Sequence, residues 1–284
     1  NLEDYPLPWE TNKFPEHKPC SKTIEIDASN GASDYGNKIG EPVIQGFTRS
    51  FGLQINDFYS EWIKPIMFSG GVSHMFEEHK DKLPAKKGYI ITRLGGPAYR
   101  IGLGGGSASS RGQNDEENSL DFNVVQRGDP EMENKAYRVI RACIEMGENN
   151  PIKSIHDQGA GGMGNVTKEI VSPLGANVYL DKVEIGDESL SSLELWGAEY
   201  QEQFTFLISS RNKLLIQRLC KRENVPVSFV GEVTNSSDIK VYDLRPGINN
   251  NNPVDLPLSE VLDNIPNKTY NLNTTKVQIL KELV

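Results

Sequence analysis

Two glycine-dense stretches limit what this chain can become more than any other feature in it. Residues 93–131 read RLGGPAYRIGLGGGSASSRGQNDEENSLDFNVVQRGDPE, and residues 154–166 read SIHDQGAGGMGNV. Each ends an apolar run with a glycine-dense loop and leads into a helical pattern. Glycine lets backbone N–H groups turn inward and approach a phosphate closely, and a helix N-terminus adds partial positive charge. A tight connection between elements is the competing reading for either cluster alone. Two clusters flanking one amphipathic helix favour a nucleotide or sugar-phosphate site.

At 284 residues the chain suits one large or two ordinary domains, and 37% hydrophobic with 24% charged residues fits a globular protein. The net charge of −9 argues against a nucleic-acid partner. An anionic ligand then needs a local basic patch or a metal ion, and Arg93, Arg100 and Arg111 bracket the first glycine loop as a candidate patch. No apolar stretch is long enough to span a bilayer, so no membrane partner is expected. The polar, proline-broken start NLEDYPLPWETNKFPEHK is unlike a secretory signal. Cys20, Cys143 and Cys220 lack zinc or disulfide spacing and read as reduced thiols of a cytoplasmic protein.

Pro6, Pro8, Pro15 and Pro19 predict extended chain at the start. KTIEIDA (22–28) alternates as a strand does, and SNGASDYGNKIGEP reads as a loop. KPIMFSGG (64–71) predicts a buried strand and YIITRLGG (89–96) another, leaving a first segment rich in strands and without a convincing helix. After about residue 124 regular structure is clearer. Asp129 caps a helix with Pro130 at its first position and Glu131 and Glu133 near the positive end of the dipole. Met132, Ala136, Val139, Ile140, Cys143 and Ile144 form its apolar stripe, which stops near Gly147. PIKSIHD, NVYLDKV, FTFLISS, VPVSFVGEVT and IKVYDL read as strands. NVTKEIV, SLSSLELWGAEYQ and RNKLLIQRLCKRE read as helices between them. That alternation makes an α/β or α+β domain.

Asp157 ends an apolar strand just before GAGGMG, where a carboxylate can hold Mg²⁺ against phosphates. A simple turn cap is the commoner use of an Asp there. His156 points to the other strand face, as a packing or hydrogen-bonding group. Gln126 precedes the helix cap, where an amide suits a sugar hydroxyl or carboxamide, or merely a surface turn. Glu199 and Glu202, in WGAEYQEQF, form either an acid–base pair or a solvated charged edge. No Ser/His/Asp or Cys/His set is present.

Together, SNGASDYGNKIGEP, WIKPIMFSGG, GGPAYRIGLGGGSASS, LDFNVVQRGDPEME, HDQGAGGMGN, WGAEYQE and VDLPLSEVL closely resemble the phosphoribosylformylglycinamidine synthase family, in its long single-chain eukaryotic form. The resemblance implies an aminoimidazole ribonucleotide synthetase-like fold in two pseudo-symmetric halves. Residues 1–123 would be part of the N-terminal domain of the first half, 124–266 its whole C-terminal domain, and 267–284 a linker or the start of the next domain. It implies a ligase of purine biosynthesis that uses ATP, Mg²⁺ and glutamine to convert formylglycinamide ribonucleotide to the amidine. By the same resemblance Gln126, Glu199, Tyr200 and Gln201 contact substrate, and Gln45, Gly46 and Phe47 contact nucleotide. Gly104, Gly105, Gly106 and Ser107 contact phosphate or nucleotide, and Asp157 binds the metal. Tyr200 and Gln203 depart from the family's serine and arginine. The family's catalytic histidine and cysteine match nothing in this chain. It is therefore expected to be inactive alone and to work with the remaining domains of a parent enzyme, glutaminase included. A selenophosphate synthetase or thiamine-phosphate kinase needs an N-terminal nucleotide loop that this sequence lacks. A non-catalytic nucleotide-binding or assembly module of the same superfamily remains the alternative.

Overall fold

A computed structural model describes residues 19–49, 51–61, 66–103, 128–262, 267 and 269–271. Gln126, Gly104, Gly105, Gly106, Ser107, Arg111 and the proline-rich residues 1–18 lie outside them. The fold is mixed α/β, built on a seven-stranded sheet.

The first element corrects the sequence reading. Helix α1 spans Ser21–Ile39, where a strand and a loop were expected, and closes at Gly40 with φ 91°. Alternation holds only over Ile24, Ile26 and Ala28. The longer 3.6-residue period, through Ile24, Ala28, Ala32, Tyr35 and Ile39, marks the half-buried face. That face packs on the helix at 130–144, and tertiary contact overrides the turn preference of Asn30, Gly31 and Gly36.

Strand β1 (Gln45–Arg49) pairs antiparallel with β4 (Ile66–Gly70) as a separate two-stranded ribbon, and β2 (Gly52–Ile55) with β3 (Phe58–Glu61) as a hairpin. The strand expected over 64–71 is present but not buried: Met67 is 38% and Phe68 57% exposed. Among the described residues each strand of the ribbon has a single neighbour, and α1 packs against it.

The main sheet runs β11–β10–β7–β9–β5–β8–β6. Its strands are β5 (Tyr89–Gly95), β6 (Ile152–Asp157), β7 (Ala176–Tyr179), β8 (Gln203–Ser209), β9 (Val227–Val233), β10 (Asp238–Tyr242) and β11 (Val254–Pro257). All pairings are antiparallel except β7 with β10. β5 precedes the division expected at 123/124, yet both its edges bond to strands that follow it.

The helices between these strands are α2 (Pro130–Ile144), α3 (Gly162–Val171), α4 (Ser192–Gly197), α5 (Lys213–Glu223) and α6 (Leu258–Leu262). α2 begins as its sequence requires: Asp129 accepts a hydrogen bond from the Met132 N–H at 3.0 Å, with Pro130 next. α3 starts inside the glycine loop, earlier than NVTKEIV implies, and α4 ends sooner than expected. Strand β7 stops at Tyr179, where a 3₁₀ turn over Leu180–Lys182 takes over.

Two apolar layers sandwich the sheet. Ala136, Val139, Cys143, Phe206, Ile208, Ile216 and Cys220 fill the side covered by α2 and α5. Ile91, Met163, Val166, Ile170, Leu195 and Leu207 fill the other, under α3 and α4. The switch of Leu207 between Phe206 and Ile208 is the period-2 alternation of a strand buried on both faces. Cys143 and Cys220 are free thiols, which burial pushes up to about 12. No helix among the described residues is long and apolar enough to cross a membrane.

The ribbon leaves Ile44 75%, Phe47 49% and Phe68 57% exposed. The isolated chain is accordingly expected to self-associate in light scattering, and a Phe47→Ser, Phe68→Ser variant to become monodisperse. A monodisperse wild-type monomer at high concentration would contradict this.

Candidate functional site

One end of the sheet gathers most of the described site residues. β6 and β8 pair so that Asp157 lies opposite Phe204, and the Gln158 N–H donates to the Gln203 carbonyl at 2.9 Å. Asp157 thus emerges beside the segment Glu199–Gln203. Leu103 forms an isolated antiparallel bridge to Ala198, and Gly128 lies against Glu202 and Tyr35. Both described flanks of residues 104–127 therefore rest on the 198–202 segment.

Asp157 carries an exposed carboxylate, with 74% of its side-chain area open. Its neighbour fixes it. His156 Nδ1 lies 2.7 Å from the Asp157 carbonyl oxygen and 3.2 Å from Oδ1, and His156 Nε2 lies 2.9 Å from Glu169 Oε2 on α3. His156 is thus a hydrogen-bonding residue, as its place on the strand suggested. Among the described residues no group of three or more His, Cys, Asp or Glu is placed to hold a metal ion. A single carboxylate completed by phosphate oxygens is a donor set that suits Mg²⁺, so Asp157 fits that ion without a preformed cage.

The Glu199–Gln201 segment divides by environment. Glu199 and Gln201 are half-buried. Tyr200 is 1% exposed, and its hydroxyl donates to the Glu194 carbonyl at 3.0 Å. Burial first, then Glu194, raises its pKa to about 12, with Arg93, Arg100 and Arg245 opposing. Tyr200 belongs to the core layer under α4 and sets the segment's path. Glu202 is no solvated edge: it is 8% exposed, and Oε1 accepts from the Tyr35 hydroxyl at 2.9 Å.

The basic patch anticipated beside the first loop is not formed by the arginines in view. Arg93 is 2% exposed; Nε donates to Gln203 Oε1 at 2.9 Å and Nη2 to the Gly96 carbonyl at 3.0 Å. Arg100 is held by Ser189, with Nη2 2.8 Å from its carbonyl, and by the carboxylates of Glu194 at 3.0 Å and Asp187 at 3.7 Å. Both had neighbours far along the chain that local reading does not reveal.

The second glycine loop also has a packing function. Gly162, at φ 56°, sits so close to the chain after α4 that a Cβ there would collide with the Ala198 carbonyl oxygen. Gly159 is unlike it: a Cβ would meet nothing nearer than Asp157 Oδ2 at 3.8 Å. The glycines thus serve close approach of backbone to backbone at Gly162, and leave room beside Asp157 at Gly159.

Gln45, Gly46 and Phe47 lie elsewhere, exposed on β1. They line an 850 Å³ groove between α1 and the ribbon. Packing links them to the sheet end through α1, which touches β1 on one side and α2 on the other.

Sequence reasoning missed Glu133. It is half-buried on the first turn of α2, and burial, then Glu202, Asp157 and Glu41, pushes its carboxyl up to about 6. The sequence marked it only as a helix-dipole residue, because the carboxylates that face it come from other elements.

Residues 86–244, which hold the whole sheet up to β10, match the family model described as AIR synthase related protein, C-terminal domain. The chain belongs to that family. It is 50% identical over 285 residues to phosphoribosylformylglycinamidine synthase of Dictyostelium discoideum, covering 98% of this chain and 21% of the relative. The chain thus spans about a fifth of the length of the curated relatives it matches. Among solved structures, T. maritima PurL complexed with FGAR superposes with a TM-score of 0.66 at 22% identity, over 92% of this chain and 40% of that one. The same protein complexed with ATP gives 0.60 at 23% identity, over 87% and 37%. At these identities the superpositions establish the fold.

Two measurements test the site's construction. Gly162→Ala is expected to cost about 3 kcal/mol in urea unfolding, through overpacking and a left-handed backbone, with Gly159→Ala well under that. Glu133 binds a proton more tightly in the folded state than its ordinary value of 4.5. Stability therefore falls as pH rises from about 4.5 to about 6, and Glu133→Gln is expected to remove that part of the fall. An unchanged pH profile in the variant would contradict the assignment.

Proposed function

We propose that this chain is a segment of a phosphoribosylformylglycinamidine synthase, the ATP-dependent enzyme that makes formylglycinamidine ribonucleotide from formylglycinamide ribonucleotide and glutamine. One observation carries the reading. Asp157, the Glu199–Gln201 segment and both flanks of residues 104–127 converge at one sheet end, in a chain 50% identical over 98% of its length to an enzyme of that name. The superposition on PurL bound to FGAR and to ATP supports the same substrate pair.

In this reading Gln126, Glu199 and Gln201 hold the ribonucleotide, and buried Tyr200 fixes the backbone that carries them. An amide at Gln126 or Gln201 can donate and accept at once, matching sugar hydroxyls and the substrate's formamide. Gly104, Gly105, Gly106 and Ser107 approach the phosphates, while Gln45, Gly46 and Phe47 take the nucleotide. Asp157, oriented by His156 and Glu169, holds Mg²⁺, which when bound offsets phosphate charge. These residues bind and orient; no proton transfer is assigned to a group in this chain. The ligase chemistry, the glutaminase that supplies ammonia and a cytoplasmic location belong to the proposed parent protein. Its domain division is proposed to fall before β5, since that strand is bonded on both edges within the sheet, with residues 267–284 as linker.

The test uses the full-length parent polypeptide. Asp157→Asn is expected to lower amidine formation about 100-fold or more, the loss of a group contributing several kcal/mol. Activity within about 2-fold of wild type, too small a change for a ligand of that weight, would remove Asp157 from the site. The isolated 284-residue chain, given ATP, substrate and ammonia, is expected to form no product; detectable amidine would overturn that part.

A further inference from the structure

At this sheet end the side chain of Glu202 lies between its own segment, α1 and the chain at Gly128. Its carboxylate is buried, at 8% exposure, and Oε1 accepts the Tyr35 hydroxyl of α1 at 2.9 Å. On a third side stands Gly128, where the chain leaves residues 104–127. A Cβ there would lie 2.9 Å from the Tyr35 ring and 3.3 Å from Glu202 Oε1. The chain following Gln126 is therefore pressed directly onto the Tyr35–Glu202 pair.

Two further features set Glu202 apart from an ordinary buried acid. Its backbone is left-handed, with φ 53°, a conformation that side-chain-bearing residues adopt only when their surroundings enforce it. The enforcement is visible: Gly95 approaches the Glu202 carbonyl so closely that a Cβ would collide with it, and Arg93 and Gly96 bind the next residue, Gln203. Among the described residues the other carboxylate oxygen, Oε2, is buried without a hydrogen-bond partner. A charge-bearing group kept half-satisfied is costly where only stability is at stake, and an apolar residue would hold α1 as well. Burial raises the carboxyl's pKa, with the Asp129 backbone and Tyr35 opposing that shift.

We infer that Glu202 is a positioning residue, which with Tyr35 sets the Glu199–Gln201 segment and the chain at Gly128 in the arrangement that fits the ribonucleotide. Glu202 touches neither ATP nor the reacting atoms; it acts by placing its neighbours. The inference rests on the substrate reading proposed above.

Steady-state kinetics of the full-length parent polypeptide test it, with substrate and ATP varied separately. Tyr35→Phe keeps the ring and its packing while removing the hydroxyl. Glu202→Ala removes the carboxylate, and Glu202→Gln keeps an acceptor for Tyr35. Tyr35→Phe and Glu202→Ala are each expected to raise KM for formylglycinamide ribonucleotide about 10-fold, the scale of a small misplacement of binding groups, with KM for ATP nearly unchanged. The double variant should be no worse than the poorer single one, because both break one link. Glu202→Gln should recover most of the loss. If Glu202→Ala does not fold, Tyr35→Phe and Glu202→Gln still decide. A merely structural role predicts lower melting temperatures with substrate KM unmoved, and that result, or additive losses, overturns the inference. Absence of amidine product from the wild-type parent would instead overturn the proposed function, and this inference with it.

Discussion

The site depends on a buried cation. Arg93 stands on the interior strand β5 and bonds Gln203 and the Gly96 carbonyl, while Gln203 Nε2 donates to that same carbonyl at 2.8 Å. Desolvation lowers its pKa to about 10, opposed by Tyr200 and Glu184, so the guanidinium stays charged at neutral pH. Placing a charge there is expensive unless hydrogen bonds compensate. The three that surround it lock the start of β8 against the end of β5. The segment from Ala198 to Glu202 leads directly into that lock, and Tyr200 and Glu202 add their own bonds to Glu194 and Tyr35.

The same end of the molecule shows how glycine serves two needs in one loop. Backbone crowding against Ala198 explains Gly162, whereas Gly159 borders open space beside Asp157. Helix α3 is thereby drawn tight against the residues after α4, and Glu169 on α3 reaches back to His156. Dense packing and an accessible carboxylate are thus produced by neighbouring residues of one motif. Glu202, Asp157 and Glu41 then stand near Glu133, and after burial they add to the cost of ionising it.

The sequence exposed those features whose causes are local. The cap at Asp129, the stripe of α2 and the strand at FTFLISS came from spacing of a few residues, and the structure reproduces them. α1 was misread because three alternating residues outweighed a longer period whose meaning comes from packing on α2. The burial of KPIMFSGG was misread because apolar content does not say whether a strand has one neighbour or two. Arg93 and Arg100 looked available for a ligand because their acceptors, Gln203 and the Asp187–Glu194 stretch, are distant in the chain. Glu133 was read only as a helix-dipole residue, and Glu202 as half of an acid–base pair or a charged edge, for the same reason.

The two glycine-dense stretches, with the motifs around them, determined the class of fold and the residue types offered to a phosphate-bearing ligand, since glycine spacing and helix caps are short-range facts. Only the tertiary structure decided what each residue was free to do. Sheet order brings β5 between β8 and β9, antiparallel register sets Asp157 beside the Glu199–Gln203 segment, and α1 carries Tyr35 to Glu202. Burial and hydrogen bonding across those contacts fix which carboxylates and arginines are satisfied within the protein. Such contacts join residues from several tens to more than a hundred and fifty positions apart, and no local pattern encodes them.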